Sequence, residues 1–235
     1  MSVSSVAKVI EWNALETDLL DRGYSVIDGL CSPQECDELL AGYSVDTLFR
    51  KTVVMARHNF GSGEYKYFAY PLPGIVQQIR ETLFQPLAKI ANDWADKFAR
   101  AYRWPEDYGK FLQECAIANQ VKPTPLMLRY GQGDYNRLHQ DMYGEVYFPF
   151  QVIVLLSEPQ LDFEGGDLVL MENYPRMQSR PHVPKLRKGS AVIIPSKERP
   201  IPGVRGWRQA QMRHGVSEIV KGQRYTLGII FHDAA

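Results

Sequence analysis

The residue pattern of the chain changes near Pro123, and this change constrains the fold more than any other feature of the sequence. Beyond it, short β-rich runs alternate with Gly, Pro, Asn and Asp. The runs cover residues 124–130, 146–157, 167–172, 190–194, 208–220 and 224–232. Several short strands at this spacing, separated by turn residues, are typical of a β-sandwich or jelly roll. The second half of the chain is therefore predicted to be a β structure.

The first half has mainly helical patterns. Ser32-Pro33-Gln34-Glu35 carries the residues of a capping box, with proline at the first helical position, so we expect a helix to begin there. We expect Pro86 to interrupt a second, longer helix, because proline cannot continue a regular helix without a break. The other predicted elements are helices over 7–21, 74–101 and 105–118, a strand over 23–30, and a hairpin formed by 52–58 and 64–69.

These patterns predict a mostly β fold with supporting helices. An N-terminal helical and β support region, residues 1–119, is expected to pack against a C-terminal jelly-roll core, residues 120–235. We expect one compact domain overall, without a separable linker near residue 120. The share of hydrophobic residues, 45%, is enough for a sizeable core and excludes a disordered chain.

Composition also bears on location. No apolar run approaches the ~18 residues that a membrane helix needs, so no membrane association is expected. The N-terminus lacks a basic segment followed by an apolar one, so no secretory signal is visible. The three cysteines are too few, and odd in number, for a disulfide framework, which favours a reducing cytoplasm.

The net charge is zero, with 27 basic and 27 acidic residues, but the charges are unevenly distributed. From Arg176 to Arg224, twelve Lys or Arg stand against two acids, Glu198 and Glu218. We call this segment the basic sector. A basic sector on a neutral protein can face an anionic partner. Its arginines can equally well solvate long loops, and the sequence leaves both interpretations open.

A metal site is indicated by His139-Gln140-Asp141. Residues two apart on a strand, or at its end, project to the same side, so His139 and Asp141 can reach one metal ion. A His-x-Asp triplet alone is weak evidence, and a third ligand is needed. Among the other histidines, His214 is the best candidate. His58 lies in the N-terminal hairpin, His182 in the basic loop, and His232 directly before Asp233. Two histidines and one carboxylate form the facial triad of non-haem Fe(II) oxygenases.

A cosubstrate site is indicated by Arg224, ten residues after His214. A facial triad leaves open positions that can take a 2-oxo acid and dioxygen, and a 2-oxo diacid needs a cation for its far carboxylate. Arginine suits this task because its planar fork binds a carboxylate through two charge-assisted hydrogen bonds. We predict a hairpin turn at Lys221-Gly222 that places His214 and Arg224 on neighbouring antiparallel strands.

Three segments together resemble the 2-oxoglutarate/Fe(II)-dependent dioxygenases, especially their AlkB-like and prolyl-hydroxylase-like branches. They are Arg129–Gly133 with Leu138–Asp141, Phe163–Leu168, and His214–Val216 with Gly222–Leu227. The resemblance covers roughly residues 124–232. AlkB-like enzymes generally carry a second arginine in the last strand. Residues 225–231 contain none, so the chain fits the wider superfamily better than AlkB proper.

The resemblance implies a double-stranded β-helix with iron bound by His139, Asp141 and His214. It further implies 2-oxoglutarate held by Arg224, with Tyr130 and Thr226 as hydroxyl contacts, and dioxygen as the second cosubstrate. The reaction would hydroxylate a C–H bond and release succinate and carbon dioxide.

The substrate stays open at this point. One hypothesis is oxidative dealkylation of an N-alkylated base in single-stranded or duplex nucleic acid. Trp207 would then stack on the base, and Arg208 and His182 would be further substrate contacts. A second hypothesis is hydroxylation of a protein side chain, presented in a peptide, or of a small metabolite. A third is a non-catalytic jelly-roll binding module.

Overall fold

The computed structural model describes residues 10–141, 144–174 and 176–235. Within these ranges the chain forms four α-helices and fifteen β-strands. The helices are α1 (Trp12–Arg22), α2 (Pro33–Gly42), α3 (Gly74–Lys97) and α4 (Tyr108–Ile117). Short 3-10 turns cover Asp46–Leu48 and Met55–His58. The predicted helix over 7–21 is partly outside the described residues. The capping box at Ser32 and Glu35 is present as predicted.

The strands form two main sheets and a small ladder, all of antiparallel pairs. They are β1 (Ser25–Ile27), β2 (Phe49–Val54), β3 (Gly61–Ser62), β4 (Glu64–Phe68), β5 (Leu126–Tyr130), β6 (Tyr135–His139), β7 (Phe150–Leu155), β8 (Phe163–Gly165), β9 (Leu168–Asn173), β10 (Arg180–His182), β11 (Ala191–Pro195), β12 (Glu198–Gly203), β13 (Gly206–Val216), β14 (Ile219–Gly222) and β15 (Arg224–Ile230).

The larger sheet has the order β1-β11-β7-β15-β5-β4-β2. The smaller has the order β10-β9-β13-β6-β3, with β12 added to the far half of β13. β14 pairs with β8 in a separate two-stranded ladder. The predicted jelly roll is confirmed. Three strands from the first half of the chain, β1, β2 and β4, complete the larger sheet.

The larger sheet is buried on both faces around its inner strand β7, and the residues of this strand show why. Every residue of β7 is buried. Val152 and Val154 belong to a cluster with the apolar side of α3, while Ile153 packs in a second cluster with Leu170 of the smaller sheet. Alternate residues of a strand face opposite sides, so a strand covered twice is apolar throughout. Helices therefore cover one face, and the second sheet covers the other.

Helix α3 corrects one prediction. It runs unbroken through Pro86, where we expected an interruption. Phe84, two residues before the proline, and Leu87, directly after it, are fully buried in the main core. Packing of this apolar face outweighs the hydrogen bond that proline removes, because most of the stability of a helix in a protein comes from tertiary contacts. No helix among the described residues is long and apolar enough to span a membrane.

A buried ion pair ties α3 to the end of the larger sheet. Arg80 is fully buried, and its Nη2 donates to Asp233 Oδ1 at 2.9 Å and to the Phe231 carbonyl at 2.7 Å. Its Nη1 donates to the Tyr70 hydroxyl at 3.1 Å, and that hydroxyl donates to Asp233 Oδ2 at 2.7 Å. Both carboxylate oxygens are thus bonded to this network.

Replacing Arg80 should therefore be costly. Arg80→Ala leaves the Asp233 carboxylate buried without its cation, so we expect a loss of about 3–5 kcal/mol in the free energy of unfolding. Urea denaturation followed by circular dichroism measures it. The control is Lys89→Ala, which removes the exposed pair Lys89–Glu106 and should change stability by less than about 1 kcal/mol. Equal effects of the two variants would contradict this assignment.

His232 is a second buried titratable group near this junction. Its Nδ1 accepts a hydrogen bond from the Phe148 backbone N–H at 3.1 Å, so the proton of the neutral ring lies on Nε2. That Nε2 is buried without a partner among the described residues. Burial, helped by the charge of Arg80, lowers the pKa of His232 to about 4. The native state therefore holds this ring neutral.

This pKa predicts a pH dependence of stability. In the unfolded chain the ring binds a proton near its ordinary pKa of about 6.5, whereas the native ring does not until about pH 4. The unfolded state takes up more protons in this window, so stability is lost as the pH falls through it, by about 3 kcal/mol in total. Urea midpoints across the window should fall more steeply for wild type than for His232→Asn. Parallel slopes would refute the assignment.

Candidate metal and cosubstrate site

Three predicted ligands meet between the two sheets. His139 ends β6, Asp141 follows two residues later, and His214 lies on β13. Asp141 Oδ1 is 3.4 Å from His139 Nε2, and Asp141 Oδ2 is 3.2 Å from His214 Nε2. One ligand atom from each residue lies within 4.8 Å of the other two. This is a spacing that a single metal ion can bridge.

Strand pairing produces this convergence. β6 and β13 are antiparallel neighbours, and their register sets His139 directly opposite His214. The ring centroids are 4.2 Å apart. Just beyond this pair the register shifts, and a Cβ added at Gly215 would lie 2.7 Å from the Asn136 carbonyl oxygen. Glycine is therefore needed where the irregular ladder brings the two backbones together.

Hydrogen bonds orient two of the ligands. His139 Nδ1 lies 2.7 Å from the Arg137 carbonyl, which fixes the proton on Nδ1 and leaves the Nε2 lone pair facing Asp141 and His214. Gln151 Nε2, on the buried strand β7, donates to Asp141 Oδ2 at 2.9 Å. Partners of this kind hold metal ligands in position. Sequence reasoning missed Gln151, although a lone amide within an apolar strand is a detectable signal.

Gln140, between the first two ligands, anchors the segment from its other side. Its Nε2 donates to the Met212 carbonyl at 2.9 Å and to the Lys197 carbonyl at 2.8 Å. Met212 lies two residues before His214 on β13. The side chain thus clamps the His139–Asp141 segment to the strand that carries the third ligand. Sequence reasoning also missed Gln140, because the middle position of a His-x-Asp motif can hold any residue and therefore carries no signal of its own.

The protonation of the site suits a metal. Burial alone would raise the pKa of Asp141, but the charge of His214 and hydrogen bonds with both histidines hold it well below the usual range. Burial, with the neighbouring His139, lowers the pKa of His214. Burial opposes protonation of His139 too, yet its hydrogen bond and charge interaction with Asp141 raise its pKa overall. An ionised carboxylate and a neutral imidazole are the forms that bind metal.

A cavity of about 400 Å³ contains the triad and Arg224. Arg224 is buried, and its Nε has no hydrogen-bond partner among the described residues. Its guanidinium lies 5.8 Å from the Tyr130 ring centre and 5.9 Å from that of Phe163, with no carboxylate paired to it in the described chain. Burial lowers its pKa to about 10, so it stays charged at neutral pH. A buried cation of this kind calls for an anion from outside the chain.

The predicted hairpin at Lys221-Gly222 is wrong. Lys221 and Gly222 belong to β14, which pairs with β8, and the chain then crosses to the other sheet. A Cβ added at Gly222 would lie 2.0 Å from the Asp162 carbonyl oxygen, so this close crossing requires glycine. Arg224 therefore begins β15 in the larger sheet, whereas His214 lies in the smaller one. The two side chains line the same cavity from different sheets rather than lying along one ladder.

The two predicted hydroxyl contacts also line this cavity. Tyr130 is paired with Arg224 across β5 and β15, and its hydroxyl accepts from Asn136 Nδ2 at 3.2 Å. Burial raises the pKa of Tyr130 to about 12, so it remains a neutral hydroxyl. Thr226 lies two residues after Arg224 on the same strand, and is buried. Their role as contacts of 2-oxoglutarate stays a prediction.

The three predicted substrate contacts lie elsewhere. None of Trp207, Arg208 and His182 is among the residues that line the cavity. Trp207 and Arg208 belong to the far half of β13, where it pairs with β12, and Lys97 Nζ covers the Trp207 ring at 5.1 Å. His182 packs edge-on against Tyr24, with Nε2 3.5 Å from Glu172. Contact with substrate stays a prediction for all three.

The basic sector is partly neutralised by acids from other parts of the chain. Arg199 pairs with the buried Glu172 at 2.5 Å and is itself buried. Exposed or half-exposed pairs are Lys185–Asp167 at 3.4 Å, Lys188–Asp37 at 2.6 Å and Lys221–Glu164 at 3.5 Å. Together with Arg224 inside the cavity, five of the twelve cations are thus already engaged or enclosed.

Comparison with known proteins identifies the family of the chain. The Oxygenase-NA family, described as oxygenases catalysing oxidative methylation of damaged DNA, matches residues 63–234. Two uncharacterized Mycobacterium tuberculosis proteins, MT2286 of strain CDC 1551 / Oshkosh and Rv2227 of strain H37Rv, are each 42% identical over 168 residues. The match covers 72% of this chain and 72% of each relative.

Solved structures show the same fold. A Pseudomonas putida prolyl-4-hydroxylase is 15% identical with a TM-score of 0.58, covering 95% of this chain and 99% of that one. A Trichoplax adhaerens prolyl hydroxylase, in complex with a hypoxia inducible factor peptide, is 14% identical with a TM-score of 0.61, covering 98% and 92%. A 2OG-Fe(II) oxygenase from Burkholderia pseudomallei is 14% identical with a TM-score of 0.56, covering 97% and 94%.

The family match spans most of the chain, the fold is that of 2OG-Fe(II) oxygenases, and the ligand set fits Fe(II) with a cation nearby for an anionic cosubstrate. The chain therefore belongs to the Oxygenase-NA family of oxygenases.

Proposed function

We propose that this oxygenase uses Fe(II), 2-oxoglutarate and dioxygen to hydroxylate an alkyl carbon attached to a nucleic-acid base. The observation that carries the proposal is the buried Arg224, a cation with no acidic partner in the described chain, inside the cavity that holds the His139–Asp141–His214 triad. A dicarboxylate such as 2-oxoglutarate would supply an anion for Arg224 and oxygen ligands for the metal that the triad would hold. The residues present thus fit both cofactors.

The roles of the chain's own residues follow from their chemistry. His139, Asp141 and His214 would hold the metal, Arg224 the far carboxylate of 2-oxoglutarate, and the Tyr130 and Thr226 hydroxyls would bond the same molecule. When bound, Fe(II) supplies the redox chemistry that couples decarboxylation of 2-oxoglutarate by dioxygen to hydroxylation of a C–H bond. One oxygen atom enters succinate and the other enters the product, with release of carbon dioxide. The protein orients the target carbon and excludes competing reactions.

Hydroxylation of an N-alkyl carbon would give oxidative dealkylation. The product is a hemiaminal, whose C–N bond breaks to release an aldehyde and restore the N–H of the base. The description of the family, which names damaged DNA, supports this substrate. Hydroxylation of a protein side chain or a small metabolite is the alternative that the substrate test below must exclude. A cytoplasmic location is part of the proposal and is supported by three free, buried cysteines.

Turnover without substrate tests the cofactor assignment. With Fe(II), 2-oxoglutarate and dioxygen we expect slow succinate release by the wild-type protein. His139→Ala should lose Fe(II) binding and succinate release together. Arg224→Gln should raise the KM for 2-oxoglutarate by roughly tenfold or more, since it removes a charge-assisted contact. The matched control, Lys89→Gln on the exposed side of α3, should behave as wild type. A wild-type protein that neither binds Fe(II) nor forms succinate would sink the proposal.

A substrate panel tests the choice of nucleic acid. The panel holds single-stranded and duplex oligonucleotides with N-methylated bases, peptides, and free amino acids, each read by mass spectrometry. We expect loss of one methylene unit from a methylated oligonucleotide, together with formaldehyde. A gain of one oxygen by a peptide or amino acid, with no change in any oligonucleotide, would refute the nucleic-acid substrate and leave the oxygenase assignment intact.

A further inference from the structure

The segment between β2 and β4 forms one wall of the cavity mouth. Met55 at its start is buried in a cluster with Tyr130, while Asn59 and Phe60 line the cavity. The backbone of this segment is fixed to β6. The Phe60 carbonyl accepts from the Arg137 N–H at 2.9 Å, and β3 pairs Gly61 with Asn136. β6 ends in His139, so this wall is held in register with a metal ligand.

The wall presents an aromatic pair. Phe60 is 49% exposed, and its ring stacks on that of His58 at 5.4 Å with an interplanar angle of 22°. His58 is exposed as well. Elsewhere in the described chain the phenylalanines are mostly buried, and Phe60 belongs to no core cluster. A stacked pair of open rings at a cavity mouth is a platform on which another flat ring can lie.

Two cations flank this pair. Arg57 precedes His58, and Arg137 lines the cavity beside Phe60. Both are exposed, and neither forms an ion pair with a described residue. The Arg137 guanidinium lies 5.9 Å from the Tyr135 ring centre, a contact that leaves its charge available. These arginines differ from the paired cations of the basic sector, which lie elsewhere in the chain.

Rings and free guanidinium groups together match one kind of ligand. A nucleotide within a strand offers a flat base and two flanking phosphates. Bases stack on aromatic side chains, and phosphates bind arginine. A small metabolite enclosed by the cavity would need no cation at its rim. A peptide would instead draw on backbone hydrogen bonds from a strand edge.

We infer that His58 and Phe60, with Arg57 and Arg137, form the entrance that receives a nucleotide of a single-stranded nucleic acid. The base stacks against Phe60 with its alkyl group toward His139, Asp141 and His214, and the neighbouring phosphates lie at Arg57 and Arg137. This inference rests on the proposed function and assigns its substrate-binding surface. The substrate-binding surface is thereby assigned to the segment between β2 and β4 and to β6. It is not assigned to the hairpin of β12 and β13, which carries Trp207, or to the rest of the basic sector.

Binding of a fluorescent single-stranded oligonucleotide, measured by anisotropy, tests this entrance. The protein is loaded with Fe(II) and 2-oxoglutarate without dioxygen, so binding is read without turnover. We expect Phe60→Ala to weaken binding roughly tenfold or more and Phe60→Trp to retain it, because tryptophan keeps a stacking surface. Arg137→Gln should weaken binding and reduce the slope of log affinity against log salt by about one.

Matched controls lie on the β12–β13 hairpin. Trp207→Ala removes an exposed aromatic, and Arg208→Gln makes the same charge change as Arg137→Gln, yet neither residue lines the cavity. If the entrance binds the substrate as inferred, both variants should bind as wild type, in contrast to the substrate contacts that the sequence predicts for these two residues. Loss of affinity in the hairpin variants with none in Phe60→Ala would overturn the entrance, as would equal loss in all four.

Wild-type behaviour separates this inference from the proposed function. Salt-insensitive binding, or no binding to single-stranded DNA or RNA, overturns the entrance, and succinate release by the same preparation then leaves the oxygenase assignment standing. Absence of both binding and succinate release overturns the two together. Thermal unfolding of Phe60→Ala shows whether this variant has a folding defect. If it has, retained binding by Phe60→Trp together with weakened binding by Arg137→Gln supports the entrance, and any other result for this pair of variants overturns it.

Discussion

The antiparallel ladder between β6 and β13 is the constraint on which the site depends. Directly opposite residues in such a ladder stand about 4.5–5.5 Å apart at Cα, so facing histidines on the inner side converge without special loops. Here these residues are His139 and His214. The carboxylate of Asp141 lies two residues after His139. Gln151 of the other sheet donates a hydrogen bond to it, and Gln140 ties the segment to β13 through the Met212 carbonyl. Three ligands are thus positioned by backbone register and two amides.

Arg224 depends on a different relation, the packing of one sheet on the other. It belongs to the larger sheet, and the triad lies mainly on the smaller one. The distance between cation and metal site is therefore set by the apolar layer between the sheets, including Ile153, Leu170 and Met212. Close packing makes such a layer resist sliding. Substitutions in this layer can alter cosubstrate binding without touching either group.

Sequence reasoning found the jelly roll because turn residues punctuate its strands, and found the triad because five histidines leave few combinations. The predicted β-rich runs left out β6, because its Tyr-Asn-Arg-Leu-His pattern is too polar to stand out, although this strand carries a ligand. The prediction of a hairpin at Lys221-Gly222 was wrong because local turn residues cannot reveal that β14 pairs with β8 instead of β15. The continuous helix through Pro86 reflects tertiary packing, which no local rule includes. Sequence reasoning did not single out Phe60, whose position beside Arg137 depends on the pairing of its backbone with β6.

The contribution of the first half of the chain to the larger sheet has a practical consequence. β1 covers the outer side of β11, and β4 covers that of β5. A fragment beginning near residue 120 would expose the edges of β11 and β5, with the unpaired backbone amides of apolar strands at each edge. Exposed edge strands of this kind pair with strands of other chains and cause aggregation. Expression of the second half alone should therefore yield inclusion bodies, and work aimed at the catalytic cavity requires the earlier strands as well.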